Sequence, residues 1–191
     1  MSIRFPWKEI VVGVLFFSPI IMYILHLTIF DSYYQASARK ESQVAKASDP
    51  LSALFESYFA LRRALAGDET EDPSIYVNSM SIPVKVLLDT ESSRAGQGLF
   101  GREQVLHSIQ YCLERFDSGS LQDARESFKA LSQALFAYAL KFGSPVRAYV
   151  FYCPMANLNW LQEGKAIGNP FYGSEMIECG NMTCTFEAGN I

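Results

Sequence analysis

Hydrophobic positions fall into three regimes along the chain. Ile10 to Phe30 is a run of 21 residues with no formal charge, and at about 1.5 Å per residue a helix of that length spans roughly the 30 Å hydrocarbon core of a bilayer. The run predicts a single transmembrane helix within an N-terminal segment 1–30. Arg4 and Lys8 precede it, Asp31 follows at once, and the next bases are Arg39 and Lys40. That bias of bases puts the N-terminus in the cytoplasm and the rest of the chain across the membrane. A signal peptide cleaved after Ala38 is the competing reading, since Ala36, Ser37 and Ala38 form a small-x-small pattern, but the apolar run exceeds the usual length of such leaders. Within the span, His26 lies close enough to the apolar boundary to reach the interface, and Pro19 reads as a kink.

Residues 31–47 are polar with mixed charge and read as a juxtamembrane stalk. From 48 to 144 the apolar spacing turns helical. Asp49 and Pro50 form an N-cap with proline in the first turn, and Leu51, Leu54, Phe55, Tyr58, Leu61 and Leu65 line one face up to Gly67. The loop 68–72 carries four carboxylates in five residues without the glycine and alternating ligands of a calcium loop, so it reads as a solvated turn. Asp72 and Pro73 open a second stretch from Ile75 to Leu88, which Pro83 is expected to break or bend. Residues 92–101, with three glycines, read as a flexible connection. Two further helices carry Val105, Leu106, Ile109, Cys112, Leu113 and Phe116, then Leu121, Ala124, Phe128, Leu131, Leu135, Ala139 and Phe142, the second opened by a Ser120/Asp123 capping box and stopped by Gly143. The expected fold is mainly α: one transmembrane helix, then a roughly four-helix bundle, with an irregular C-terminal loop (145–191) packed on it. Within that loop, Arg147 to Tyr152 and Met182 to Phe186 have the β-branched and alternating character of a short two-stranded hairpin.

Composition narrows the function. With 19% charged residues and a formal net charge of -4, the chain has no basic stripe for nucleic acid. It lacks a phosphate-binding glycine loop and an HExxH pair, its two histidines lie far from its C-terminal cysteines, and its closest cysteines, Cys179 and Cys184, are not a CxxC. The chain therefore reads as a non-enzyme. Cys112 on an apolar helix face reads as a buried hydrophobe, and His107 as a surface imidazole. The chemistry concentrates in the last forty residues, where Cys153 pairs with Met155 and Met176 with Cys179. Two residues apart in extended chain, Cys153 and Met155 point to the same side. Met176 and Cys179, three apart on a helical turn that Ser174 could cap, would share its face. Thiolate with thioether suits Cu(I) or Ag(I) better than a hard cation. Met182 and Cys184 are secondary candidates for the same metal site. In an oxidising compartment a structural Cys153–Cys179 disulfide competes with metal, and Cys184 leaves the connectivity open.

The segments CPMA (Cys153 to Ala156), Trp160-Leu161, an isoleucine before Asn169-Pro170, two aromatics, Gly173, Met176 and Cys179-Gly180 together resemble a bacterial periplasmic domain family of unknown function. Related domains lie at the C-terminal end of some membrane fusion proteins of copper and silver efflux systems. The resemblance covers about residues 50–180, but its specific part is 153–180. It implies a helical periplasmic domain with heavy-metal binding through Cys153, Met155, Met176 and Cys179, and the run Ile10 to Phe30 would anchor that domain in a bacterial inner membrane. Gly168 stands where the family carries a basic residue, no histidine precedes CPMA, and the tail adds Met182 and Cys184. No adaptor hairpin or barrel is present in the pattern, so the chain is not itself an efflux adaptor. The function expected is metal homeostasis, resistance or delivery, with a metal-efflux or other membrane complex as partner. The alternative is a non-catalytic accessory subunit of a larger membrane complex.

Overall fold

The computed structural model describes residues 49–69, 72–93 and 101–189. Four helices come first: α1 (Pro50–Ala66), α2 (Ser74–Ser93), α3 (Arg102–Glu114) and α4 (Leu121–Phe142). Three strands follow, β1 (Ala148–Cys153), β2 (Leu158–Gln162) and β3 (Asn181–Phe186), with a single 3-10 turn at Gly173–Met176 between β2 and β3. The local signals that start and stop the helices are plain. The Asp49 carboxylate accepts from the N–H groups of Leu51 and Ser52, and the Ser120 hydroxyl accepts from the Asp123 N–H. Both satisfy donors that a helix start leaves over. Gly143, at φ 81°, ends α4 by returning its N–H to the Ala139 carbonyl, a geometry glycine adopts without cost.

Each helix packs on the next in chain order, and α1 meets α4 through aromatic rings. Tyr58 stacks on Phe128 with centroids 5.1 Å apart, and Phe55 meets Tyr138 edge-on. Tyr58 also ties the helices to the sheet: its hydroxyl contacts Ser132 Oγ at 2.7 Å and accepts from the Leu161 N–H, while Ser132 donates to the Asn159 carbonyl. Burial pushes the Tyr58 phenol up to about 12, so it stays a neutral donor and acceptor at any physiological pH.

The C-terminal third overturns the mainly α expectation. It is an antiparallel three-stranded sheet in the order β2-β1-β3, so the fold is α+β, and the tail is neither an irregular loop nor a two-stranded hairpin. β1 is the central strand, paired with β2 (Phe151 opposite Trp160) and with β3 (Ala148 opposite Phe186). Leu158–Gln162 was concealed by its shortness. It becomes a strand because residues 154–157 form a turn that Asn157 closes at φ 54°, the left-handed region that asparagine tolerates. Pro83 does not break α2, which runs unbroken on both sides of it. The one lost hydrogen bond is outweighed by the face that Val77, Met80, Val84 and Leu88 bury on either side of the proline. The expected transmembrane helix, Ile10 to Phe30, and the stalk lie outside the described residues. Among the described residues no helix is long and apolar enough to cross a membrane.

Asp68 is part of the frame and not merely a solvated acid. In the left-handed region at φ 54°, its carboxylate accepts from the Ser174 N–H at 3.2 Å and from Arg125 of α4. Hydrogen bonding from Ser174, then Arg125, holds its carboxyl below the ordinary range. A depressed carboxyl contributes stability that is complete above the ordinary carboxylate pKa and is lost as pH falls through the depressed one. Asp68→Asn should therefore be less stable than the parent near pH 7, and the gap should narrow as pH drops below about 4. Urea unfolding across that range checks it; a gap independent of pH would show that the carboxylate charge is not what holds Ser174.

Candidate dithiol site

Cys153 is the last residue of β1 and is fully buried; Cys179 lies just before β3 and is half-buried. Their sulfurs are 3.8 Å apart. Local chain geometry aims a donor at Cys153. The turn after Cys153 brings the Ala156 N–H to the Cys153 sulfur at 3.4 Å. Pro154 fixes its own φ in this turn, and the Tyr152 hydroxyl donates to Asn157 Oδ1 across it at 2.7 Å.

Asn169 joins the two halves of the site. It is completely buried, and its Nδ2 donates both to the Cys153 sulfur (3.3 Å) and to the Cys179 carbonyl (2.6 Å). Its Oδ1 accepts from the Phe171 N–H, and its backbone exchanges bonds with Ile177 and Gly173. Every polar atom of this side chain is engaged, as a buried amide requires. Phe171 then anchors the loop, packing on Phe128 of α4 and edge-on to Trp160. Gly173, at φ 58°, passes where a Cβ would overlap Arg125 and Asp68. Gly180, at φ 153°, leaves only enough room for the Trp160 ring, which a Cβ would approach to 2.5 Å.

The sequence-expected residues are distributed as follows. Cys153 and Cys179 have their sulfurs in contact. The Met176 carbonyl accepts from the Cys179 N–H, and the side chains of Met155 and Met176 reach the surface. Ser174 does not cap the turn; its N–H serves Asp68 instead, and the 3-10 turn ends at Met176. Met182 stands opposite Phe151, and Cys184 opposite Val150. Cys184 is thus three residues along β1 from Cys153, about 10 Å at the rise of a strand. Cys112 is half-buried, its thiol pushed up by burial, and His107 is exposed beside Glu103. Asn169, Gly180 and Trp160 were legible in the sequence only as motif positions. The contact of Asn169 with sulfur had no signal beyond its place before Pro170.

The chemistry open to this pair is set by distance and by protonation. Two thiolates bound at about 2.3 Å to one tetrahedral ion sit about 3.8 Å apart, whereas a disulfide requires about 2.05 Å. Burial and then the neighbouring Cys153 raise the Cys179 thiol above its ordinary value. A cation between the sulfurs reverses the preference and expels the protons. Among the described residues no third His, Cys, Asp or Glu joins the pair, so the four-ligand shell of a structural zinc site is not assembled here.

Comparison of the chain with protein-family models, with curated proteins and with solved structures finds no match.

Asn169→Ala should destabilise the domain by about 1–3 kcal/mol, because it leaves buried backbone partners unsatisfied. It should also speed alkylation of Cys153 in the reduced, folded protein. Unfolding and mass-resolved alkylation read the two effects; a stable variant with unchanged Cys153 protection would show that Asn169 does not hold the site.

Proposed function

We propose that this chain binds a soft monovalent metal ion, Cu(I) or Ag(I), between the thiolates of Cys153 and Cys179, with Met155 and Met176 as accompanying thioether ligands. The observation that carries the reading is the 3.8 Å separation of two sulfurs, one of which, Cys153, receives N–H donors from Ala156 and Asn169. The N–H groups directed at the Cys153 sulfur favour its thiolate, the form that a metal requires. Soft sulfur donors, with no hard or imidazole ligand beside them among the described residues, select a soft ion over Mg²⁺, Ca²⁺ or Zn²⁺. The motif resemblance to periplasmic domains of copper and silver efflux systems agrees with this chemistry. So does the charge-free run Ile10 to Phe30, which would anchor the domain in a bacterial inner membrane and place the site in the periplasm. The role is binding in metal homeostasis, resistance or delivery, and it involves no catalysis.

The same sulfur contact favours one rival, a structural disulfide in an accessory subunit of a membrane complex. Closing the pair needs each sulfur to move by less than 1 Å toward a bond of about 2.05 Å.

The full chain, purified reduced, should bind one Cu(I) in competition with a chelator and release about two protons per ion at neutral pH. Cys153→Ser and Cys179→Ser should each abolish binding, and Cys184→Ser and Cys112→Ser should leave it intact. Binding that survives both site substitutions would overturn the proposal, and a quantitative Cys153–Cys179 bridge in protein taken from cells under metal load would overturn it in favour of the disulfide.

A further inference from the structure

The pairing of β3 with β1 contains one irregularity, and it decides which side chains face the sulfur site. Val150 is opposite Cys184 and Phe151 is opposite Met182, so Thr183 is an extra residue on β3. Its hydroxyl donates back to the Val150 carbonyl at 3.3 Å. Such a bulge re-aims the side chains beyond it. A regular strand would set Thr183 opposite Phe151 and turn Met182 to the opposite face with Tyr152. With the bulge, Met182 shares the face of Phe151, and Cys153, two residues on in β1, faces the same way. Cys184 shares the other face with Val150.

We infer that Met182 is a ligand of the metal held by Cys153 and Cys179, placed there by the Thr183 bulge, and that Cys184 is kept off the ion by strand parity; this inference rests on the proposed metal-binding reading. Met182 lies on the diagonal from Cys153, a separation of about 7–8 Å that long side chains bridge. The thioether hangs from a flexible three-torsion chain, and the Met182 side chain is half exposed. Diagonal placement also leaves space for an ion between the two sulfurs, where directly opposed residues would be in contact. Two thiolates 3.8 Å apart bend the S–M–S angle well below linear, which leaves positions on the ion for thioethers, Met182 among them. Cys184 is intrinsically the stronger ligand, being a thiolate donor, and it is two residues away. Choosing Met182 over Cys184 is therefore a consequence of the fold and not of ligand strength.

Titrating the reduced full chain with Ag(I) against a competing thiol tests this, because Ag(I) has no redox chemistry to confuse the readout. Met182→Leu, close in volume, should weaken Ag(I) binding roughly tenfold or more, while Cys184→Ser should leave the affinity within about twofold of the parent. Thermal unfolding of the metal-free variants should coincide with that of the parent, which separates ligation from folding. If the parent binds Ag(I) through Cys153 and Cys179 but Met182→Leu binds equally well, or if Cys184→Ser is the damaging change, this inference falls and the two-cysteine reading stands. If the parent does not bind Ag(I), both fall.

Discussion

The buried carboxamide of Asn169 is what the rest of the site depends on. Cys153 and Cys179 are 26 residues apart in sequence and arrive from different elements, one from the end of a strand and one from the loop after a 3-10 turn. A single planar amide donates to the sulfur of the first and to the carbonyl of the second, and accepts from the loop that carries Phe171. Hydrogen bonds of this kind contribute little individually but are costly to leave unmade when buried. The amide therefore selects the one arrangement of the tail in which all of its partners are met, and that arrangement brings the sulfurs together.

The layers beneath Asn169 make that arrangement rigid. Phe171 sits between Phe128 and Trp160, and Tyr58 bonds both Ser132 on α4 and Leu161 on β2. The helical layer thus grips the strand next to the one that ends in Cys153. On the other side of the loop, Asp68, itself bonded by Arg125, holds Ser174, and a Cβ at Gly173 would overlap both side chains. Gln162 closes the segment between β2 and Asn169 by donating to the carbonyls of Gly164 and Ala166, while accepting from the Trp160 indole. Arg62 adds a bond to the Gly168 carbonyl and pairs with Glu163. Burial lowers its guanidinium from the ordinary value, and the Glu163 charge opposes that. A helical scaffold with few chemical groups of its own thus presents a small, rigid sulfur site at one end of its sheet.

Local signals in the sequence carried much of the helical half. Asp49-Pro50, Ser120 with Asp123, and Gly143 act within a few residues of chain, and they operate in the structure as N-caps and a C-cap. Long-range effects were illegible. Nothing local distinguishes Leu158–Gln162 from a loop, because it becomes a strand by pairing with β1 and by burying Trp160 and Leu161. Pro83 is a strong local breaker that lost to burial around it. Asp68 read as one of several solvated acids, because its partners are 57 and 106 residues away. The sulfur contact was half legible: the cysteines stood out in the tail, whereas the residue that aligns them, Asn169, carries no unusual chemistry of its own. Strand parity was beyond reach as well, since a bulge at Thr183 is visible only once β3 is paired.

X-ray absorption at the copper edge, on the reduced full chain loaded with one equivalent of Cu(I), puts the central claim to the most direct test. The account gives a first shell of sulfur alone, at about the 2.3 Å typical of metal–thiolate bonds, and the loss of that shell in Cys153→Ser. A shell dominated by nitrogen or oxygen, or a sulfur shell unaltered by Cys153→Ser, would contradict it.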